Sequence, residues 1–272
     1  MSMATSIHHL TEPAIRSAIS ALQLPAGSWG LDAGCGVGDH ALWLVEVVSP
    51  GGQVTGIDIS PDCLFRARAS SSGAGMEGRL TLLCADMKRL PFADSAFDWA
   101  WSADALWIGP KSFGLPAESP MPILNELARV VKPGGVVALL FWSSQKLLPG
   151  YPLLEARLNA THAANFPYAE DSMPEMHIMR PLGWLRAAGL EKLKALTFVA
   201  NMQAPLGEIA QDALTASFQM LWGKAPSELT AEDWAEFQRL CQPESPDFIL
   251  ILPDYYAFIT YTLFYGRVPD LR

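Results

Sequence analysis

Three alternating glycines flanked by acidic residues form the stretch of the chain best suited to hold a small molecule. Gly34, Gly36 and Gly38 follow an apolar run that contains Asp32, and apolar residues then recur at helical spacing over residues 41–48. This pattern predicts a strand, a tight turn and a helix. Glycine adopts positive φ and lets a ligand approach the backbone, and the start of a helix leaves N–H groups free. The turn is therefore typical of a nucleotide-like site.

The charges around this turn favour a cationic ligand over a dinucleotide. The dinucleotide fingerprint G-x-G-x-x-G requires its third glycine where this chain has Asp39, and Asp32 lies just before the turn. Two carboxylates would repel a pyrophosphate by about 1 to 4 kcal/mol per pair at 4 Å. S-adenosylmethionine (SAM) carries a sulfonium and an ammonium group, so its charges suit this site.

Further polar residues follow the next predicted strands. Asp58 lies near the end of a strand over residues 53–59, where a carboxylate accepts both hydroxyls of a ribose. NAD-binding proteins use the same arrangement, so Asp58 alone does not choose the cofactor. Asp86 follows a strand over residues 80–84, and its carboxylate suits an exocyclic amine. Because ligands sit outside the carboxyl ends of parallel strands, Ser102 at the exit of the fourth strand is a further candidate.

Four features in order resemble the class I SAM-dependent methyltransferases of the small-molecule type. They are the turn at 31–38, Asp86 after the third strand, the Leu-Pro-Phe-x-Asp-x-x-Phe-Asp run at 90–98 and the Lys-Pro-Gly-Gly turn at 132–135. The resemblance implies an α/β fold: a Rossmann-like seven-stranded, mostly parallel sheet with helices on both faces, plus helical cap insertions. It also implies that Asp86 and the Met87 N–H contact the adenine. The implied cofactor is SAM, bound by Asp32, Gly34, Cys35, Gly36, Gly38, Asp58, Ile59, Asp86, Met87 and Ser102.

The domain organisation follows from where the resemblance stops. Most relatives join strands six and seven in a hairpin, so the long segment between them here is a departure, and we interpret the two insertions as one cap over the acceptor. The predicted parts are a SAM-binding core at 1–142, an acceptor-side insertion at 143–181, a core continuation at 182–204, a helical cap at 205–257, and a last strand and tail at 258–272.

Local signals predict where individual elements begin and end. Thr11 is expected to cap the first helix, with residues 1–10 loose before it. A helix over 122–131 is expected to end at the turn of 132–135, before an apolar strand at 136–142. The apolar run at 248–266 contains a proline, an aspartate and several tyrosines, so we interpret it as buried structure and not a membrane span.

The expected reaction is transfer of a methyl group to a small, largely apolar acceptor. The aromatic residues predicted to line the acceptor pocket are Trp101, Trp107 and Trp222. A base is required only if the acceptor arrives protonated. The candidates for it are His162, His177, Glu170 and Asp104, and none of them is assigned.

Composition restricts the remaining possibilities. The net charge of −9 argues against general nucleic-acid binding, which requires a basic surface. The four cysteines form no C-x-x-C pair, so no metal site is expected. No signal peptide is visible, which favours the cytoplasm. Two alternatives stay open: a SAM-binding subunit that does not catalyse a reaction, and an NAD-linked oxidoreductase.

Overall fold

The computed structural model describes residues 3–73, 78–107, 119–165, 167–168 and 173–270. The strands are β1 (Trp29–Ala33), β2 (Gln53–Asp58), β3 (Leu80–Cys84), β4 (Phe97–Ala103), β5 (Val131–Lys146), β6 (Glu191–Gln203) and β7 (Tyr256–Arg267). The helices are α1 (Met3–Ala21), α2 (Asp39–Val48), α3 (Pro61–Gly73), α4 (Met121–Val130), α5 (Pro152–Asn159), α6 (His162–Asn165), α7 (Pro181–Ala187), α8 (Glu208–Trp222) and α9 (Ala231–Cys241).

The seven strands form one sheet in the order β3-β2-β1-β4-β5-β7-β6. The first five strands in this order pair in parallel. Strand β7 runs antiparallel to β6, because Thr197 contacts Thr262 while Ala204, further along the chain, donates to Tyr255. The predicted Rossmann-like α/β class is confirmed. The connection order reverses between β1 and β4, and the carboxyl ends of these two strands are where such sheets bind ligands.

A glycine and a tryptophan fit together where β1 meets β4. Gly30 and Trp99 are register partners, and a Cβ atom at Gly30 would lie 2.0 Å from the Trp99 ring. The indole Nε1–H of Trp99 donates to Ser28 Oγ at 2.9 Å in a buried environment. Since a side chain at position 30 would displace the ring, Gly30 is required by packing, and this contact fixes β1 against β4.

The predicted turn at 132–135 lies inside β5. The strand begins at Val131, directly after α4, and its register against β4 shifts from Phe97–Val131 to Trp99–Val136. Gly134 has φ +76°, and its N–H donates to the Val268 carbonyl at 2.9 Å. The Pro-Gly-Gly segment therefore forms an irregularity within a paired strand and not an isolated turn. Its hydrogen-bond partner is Val268, the residue directly after β7.

The first helix begins earlier than the sequence predicts. α1 starts at Met3 and contains Pro13, so Thr11 is not its cap and the preceding residues are not all outside the helix. Thr11 is fully buried, as are Ile15 and Ile19 further along the same helix. The side chain of Thr11 is thus part of a packed face, which the capping preference of threonine does not reveal.

The chain forms two compact units. The α/β unit comprises residues 15–142, 173–198 and 262–272, and the helical unit comprises residues 1–14, 143–172 and 199–261. In the helical unit Trp222 stacks on Phe218, contacts Phe237 edge-on, and donates through Nε1–H to Asn159 Oδ1 at 3.0 Å. Tyr255 donates to the Leu147 carbonyl. These contacts give the helical unit an aromatic core of its own.

The apolar run at 248–266 folds as a 3₁₀ turn (Ile249–Ile251) followed by β7. Within the part of the chain that the structure describes, no helix combines the length and the apolar character needed to cross a membrane.

Arg129 on α4 holds the Leu-Pro-Phe-x-Asp segment, a contact that the sequence analysis missed. Its guanidinium donates to the carbonyls of Phe92 and Leu90 at 2.9 and 3.2 Å, and to Asp94 Oδ1 at 2.8 Å. Glu126 accepts from Arg129 Nε and Nη2 and also from the Leu90 N–H. The motif is therefore held in place by one arginine before it enters β4.

Arg129→Met should lower the free energy of unfolding by about 2 kcal/mol, because it leaves two carbonyls and Glu126 without their charged donor. Arg239→Met is the matched control, since Arg239 also pairs with a glutamate three residues earlier but with no backbone carbonyl. Urea unfolding should show the smaller loss for Arg239→Met. Equal losses would mean that the carbonyl contacts of Arg129 contribute nothing.

Candidate cofactor-binding site

The glycine turn after β1 has the strand-turn-helix arrangement that the sequence predicts. Gly34, Gly36 and Gly38 have φ values of +79°, +52° and +90°, in the left-handed region that favours glycine. The N–H groups of Gly34 and Cys35 both donate to the Ile57 carbonyl at 2.8 Å. The turn is thereby fixed to the end of β2, and α2 begins directly after it.

The three glycines have different steric surroundings. A Cβ atom at Gly34 would lie 2.4 Å from the Cβ of Ala105, and one at Gly38 would lie 2.9 Å from the Cβ of Ala67. A Cβ atom at Gly36 would meet none of the described residues within 4 Å, its two chain neighbours aside. Packing therefore requires glycine at 34 and 38, whereas Gly36 faces open space, as a residue beside a ligand does.

Asp58 braces this turn from the end of β2. Its Oδ2 accepts the Gly36 N–H at 2.9 Å, and its Oδ1 accepts the Ser60 N–H at 2.8 Å. The side chain is half-buried. Each carboxylate oxygen can accept a second hydrogen bond, so the predicted contact with ribose hydroxyls is compatible with this geometry. The bracing of Gly36 was not predicted, since it requires the turn and β2 to be placed together.

Asp32 is almost fully buried at 1% exposure, and its Oδ2 has no hydrogen-bond partner among the described residues. Burial, and secondarily the charge of Asp58, raises the pKa of Asp32 to about 8. At neutral pH this carboxyl group is mostly protonated in the free protein. From its place in the sequence, Asp32 was expected to carry a fixed negative charge. The structure corrects this expectation, because local sequence does not reveal how completely a strand residue is desolvated.

Two residues of β4 lie at the same edge of the sheet. Trp101 is the register partner of Asp32 and is fully buried, and no described residue accepts a hydrogen bond from its Nε1–H. Its ring meets that of His40 edge-on at 6.1 Å. Ser102 is buried, and its hydroxyl donates to the Ala33 carbonyl at 2.7 Å. Ser102 thus ties β4 to β1 beside the turn.

The predicted adenine contacts, Asp86 and Met87, follow β3, and Ile59, predicted to bind the cofactor, follows β2. Asp86 is partly exposed, and its Oδ1 accepts the Lys88 N–H at 2.9 Å. Met87 lies beside Gly34, with Sδ 3.6 Å from the position a Cβ atom would take there. Ile59 is 70% exposed, which leaves its side chain free to cover a ligand. These three residues belong to the α/β unit together with the turn.

The candidate bases belong to different parts of the chain. Asp104 has φ +47°, and its Oδ1 accepts the Trp142 N–H at 2.9 Å, a contact that holds the exit of β4. Burial lowers the pKa of His177, whose Nδ1 accepts the Met179 N–H. His162 is exposed and belongs to the helical unit. Glu170 lies outside the described residues.

The aromatic residues predicted for the acceptor pocket occupy different environments. Trp107 is half-buried after β4 and meets Phe141 edge-on at 6.3 Å, and Phe141 meets Trp184 in the same way. Trp101 is fully buried in β4 as the register partner of Asp32. Trp222 is a core residue of the helical unit. Among the three, Trp107 retains exposed surface at the ligand edge of the sheet, and the acceptor role of all three stays a prediction.

The fold and this turn define a class of protein: a Rossmann-like α/β domain with a glycine turn at its switch point. Residues 31–139 match a protein family described as a methyltransferase domain. Methyltransferase GfsG of Streptomyces halstedii is 30% identical over 194 residues, which cover 68% of this chain and 60% of that protein. A demethylmenaquinone methyltransferase of Bacillus cytotoxicus is 29% identical over 197 residues, covering 67% of this chain and 78% of that protein.

A solved structure titled geranyl diphosphate methyltransferase in complex with SAM superposes with a TM-score of 0.54 at 14% identity, covering 97% of this chain and 88% of that one. At this identity the similarity concerns the fold alone. The sequence matches agree with the methyltransferase resemblance predicted from the motifs. Residues 31–139 are a methyltransferase domain.

Proposed function

We propose that this protein binds SAM at the glycine turn and transfers its methyl group to a small, largely apolar acceptor. The observation that carries the proposal is the open space beside Gly36, bordered by Asp58 on the adjoining strand. The family typically uses SAM, and the superposed structure of geranyl diphosphate methyltransferase is a complex with SAM. The electrostatic surroundings agree, because carboxyl groups border the turn and no described contact brings a lysine or arginine to it.

Each proposed contact uses a group with spare hydrogen-bonding capacity. Asp58 would accept the ribose hydroxyls through the second lone pairs of its oxygens. Asp86 would accept the adenine amine, and the exposed side chain of Ile59 would cover the base. Asp32 would face the positively charged end of the ligand, which carries the sulfonium and the ammonium group. Together these contacts would orient the ligand along the carboxyl ends of β1, β2 and β3.

SAM supplies a methyl group that is already activated, so the contribution of the protein is mainly alignment. Holding two reactants in line can contribute about 7 to 11 kcal/mol to lowering the barrier. The positive charge disperses during transfer, which an apolar, water-poor surrounding favours. No residue is proposed as a general base, since a base is required only if the acceptor arrives protonated.

The proposed acceptor class is supported by Trp107, the aromatic residue that is only half-buried just after β4. Its ring meets the buried ring of Phe141 edge-on, and Phe141 meets Trp184 in the same way within the α/β unit. Such rings bind apolar or conjugated molecules in preference to charged ones. One relative is named for demethylmenaquinone, a quinone, which agrees with this class. We extend the same class of acceptor to this chain.

Asp58→Ala should weaken SAM binding by more than about tenfold, because a carboxylate that accepts two hydroxyls contributes a few kcal/mol. Isothermal titration measures the affinity. Asp62→Ala is the control, since Asp62 is an exposed acid in the first turn of α3. Unchanged SAM affinity in Asp58→Ala would refute the ribose assignment.

Activity is tested separately from binding. Purified protein incubated with methyl-labelled SAM and an extract of small metabolites should yield a labelled product that partitions into an organic solvent. A protein that binds SAM but labels nothing would support the alternative of a non-catalytic subunit. Saturable binding of NAD without SAM binding would support the oxidoreductase.

A further inference from the structure

We propose that Asp32 distinguishes the positively charged methyl donor from its neutral thioether product by exchanging a proton: its carboxyl group is neutral in the free protein and loses its proton to the buffer when the cation binds. The inference rests on the proposed function, since it assumes that SAM binds at the glycine turn. It goes further by assigning a selection between substrate and product to one side chain.

The geometry isolates this carboxyl group. Asp32 is 1% exposed, and its Oδ2 lacks a partner among the residues that the structure describes. Its register partner Trp101 is equally buried, and no described residue accepts from its Nε1–H. Buried polar atoms without partners are costly, and they are few in native proteins. Asp32 Oδ2 and the Trp101 Nε1–H group lie at the switch point of the sheet, where a ligand is expected to supply the missing partners.

Two of the described groups near Asp32 give its anion no stabilisation. Asp58, at the end of the neighbouring strand, repels a second negative charge. Cys35 in the turn has its pKa raised by burial, so it remains a neutral thiol. His40 on α2 meets the ring of Trp101. Consistent with this environment, the pKa of Asp32 is raised to about 8.

A bound cation reverses this balance. A positive charge near a carboxyl group favours its ionised form, so a cationic ligand lowers the pKa of Asp32 and the proton leaves. SAM and its product S-adenosylhomocysteine both carry an ammonium and a carboxylate, but only SAM carries the sulfonium. SAM therefore displaces the proton more completely, and its affinity rises more steeply with pH.

The test counts protons by isothermal titration in buffers with different enthalpies of ionisation. At about pH 6.5 the amino group of either ligand is already more than about nine-tenths protonated, given an ordinary α-amino pKa of about 7.7 to 8.0. Binding as an ammonium ion therefore adds almost no proton uptake that would mask release from the protein. We expect SAM to release more than about half a proton per site, and S-adenosylhomocysteine less than half as much. From about pH 6 to 7.5, the ratio of their affinities should grow at least about threefold.

Three variants identify the source of the proton. Asp32→Asn should bind SAM more weakly and release almost none, whereas Asp62→Asn, at an exposed acid, should behave as the wild type. If His40→Gln abolishes the release while Asp32→Asn retains it, the inference is overturned. SAM binding to the wild type without proton release also overturns it and leaves the proposed function intact. If the wild type does not bind SAM, both this inference and the proposed function are refuted.

Discussion

Gly36→Val should abolish SAM binding, with a loss of affinity above about a hundredfold, while the protein should still fold. The expected loss is large because a valine side chain would occupy the open space beside the turn, where the structure places no protein atom within 4 Å of the new Cβ. The fold should survive because the substitution meets no neighbour, although φ of +52° is unfavourable for valine, at a cost of roughly 1 to 2 kcal/mol.

Gly189→Val is the control for Gly36→Val, because it introduces similar backbone strain without filling the proposed SAM site. Gly189 has φ +81°, and a Cβ atom there also meets nothing within 4 Å, but it follows α7 and is not part of the turn. The two variants should lose similar stability in urea, and only Gly36→Val should lose SAM binding by titration. A normal SAM titration with folded Gly36→Val would remove the turn from the site.

Asp32→Asn should make the free protein more stable at neutral and alkaline pH. The pKa of Asp32 is about 8 in the folded protein, against 3.8 for an ordinary aspartate. The folded state therefore holds its proton more tightly than the unfolded state, and the wild type loses stability as pH rises from about 4 to about 8. Each unit of pKa difference corresponds to about 1.4 kcal/mol, so the gain from Asp32→Asn reaches a few kcal/mol near pH 8.

Urea unfolding at about pH 4 and about pH 8 measures this effect. The difference between Asp32→Asn and the wild type should be small at the lower pH and largest at the higher one. Asp62→Asn serves as the control, because an exposed carboxyl group should show no comparable pH-dependent gain. A constant difference across this pH range, or a loss that grows with pH, would contradict the assignment of a neutral, buried Asp32.

The glycine turn and Asp58 could be predicted from the sequence because their signals are local. Alternating glycines after an apolar run require a particular backbone, and the structure has Gly34, Gly36 and Gly38 all at positive φ. Asp58 lies at the end of the next strand, so the spacing alone places it at the same edge of the sheet. The parallel α/β class follows from the same alternation of strands and helices.

Other features depend on residues that are distant in the sequence. The Lys-Pro-Gly-Gly segment was predicted as a turn, but pairing with β7 converts it into an irregularity within β5. Arg129 holds the segment around Phe92 across more than thirty residues of chain. The protonated state of Asp32 arises from complete burial beside Asp58. None of these is encoded in a short motif, since each requires the assembled sheet.

The tryptophans show the same limit for the acceptor site. Three of them were predicted to line an acceptor pocket, but their positions in the sequence do not distinguish a pocket from a core. Trp222 is enclosed by Phe218 and Phe237 and donates to Asn159, so its contacts are those of a core residue. Trp107 keeps exposed surface beside Phe141. Burial and the hydrogen bonding of the indole N–H, which only the structure shows, distinguish the core residue Trp222 from the partly exposed Trp107.

The central claim is that carboxyl groups around a glycine turn receive a cationic methyl donor. Isothermal titration of the purified protein with SAM, and in parallel with NAD, tests it most directly. The account predicts saturable binding of one SAM per chain, with an affinity in the range of about 1 µM to 1 mM that is usual for enzyme substrates, and no saturable binding of NAD. Saturation by NAD with no heat from SAM at millimolar concentration would contradict it.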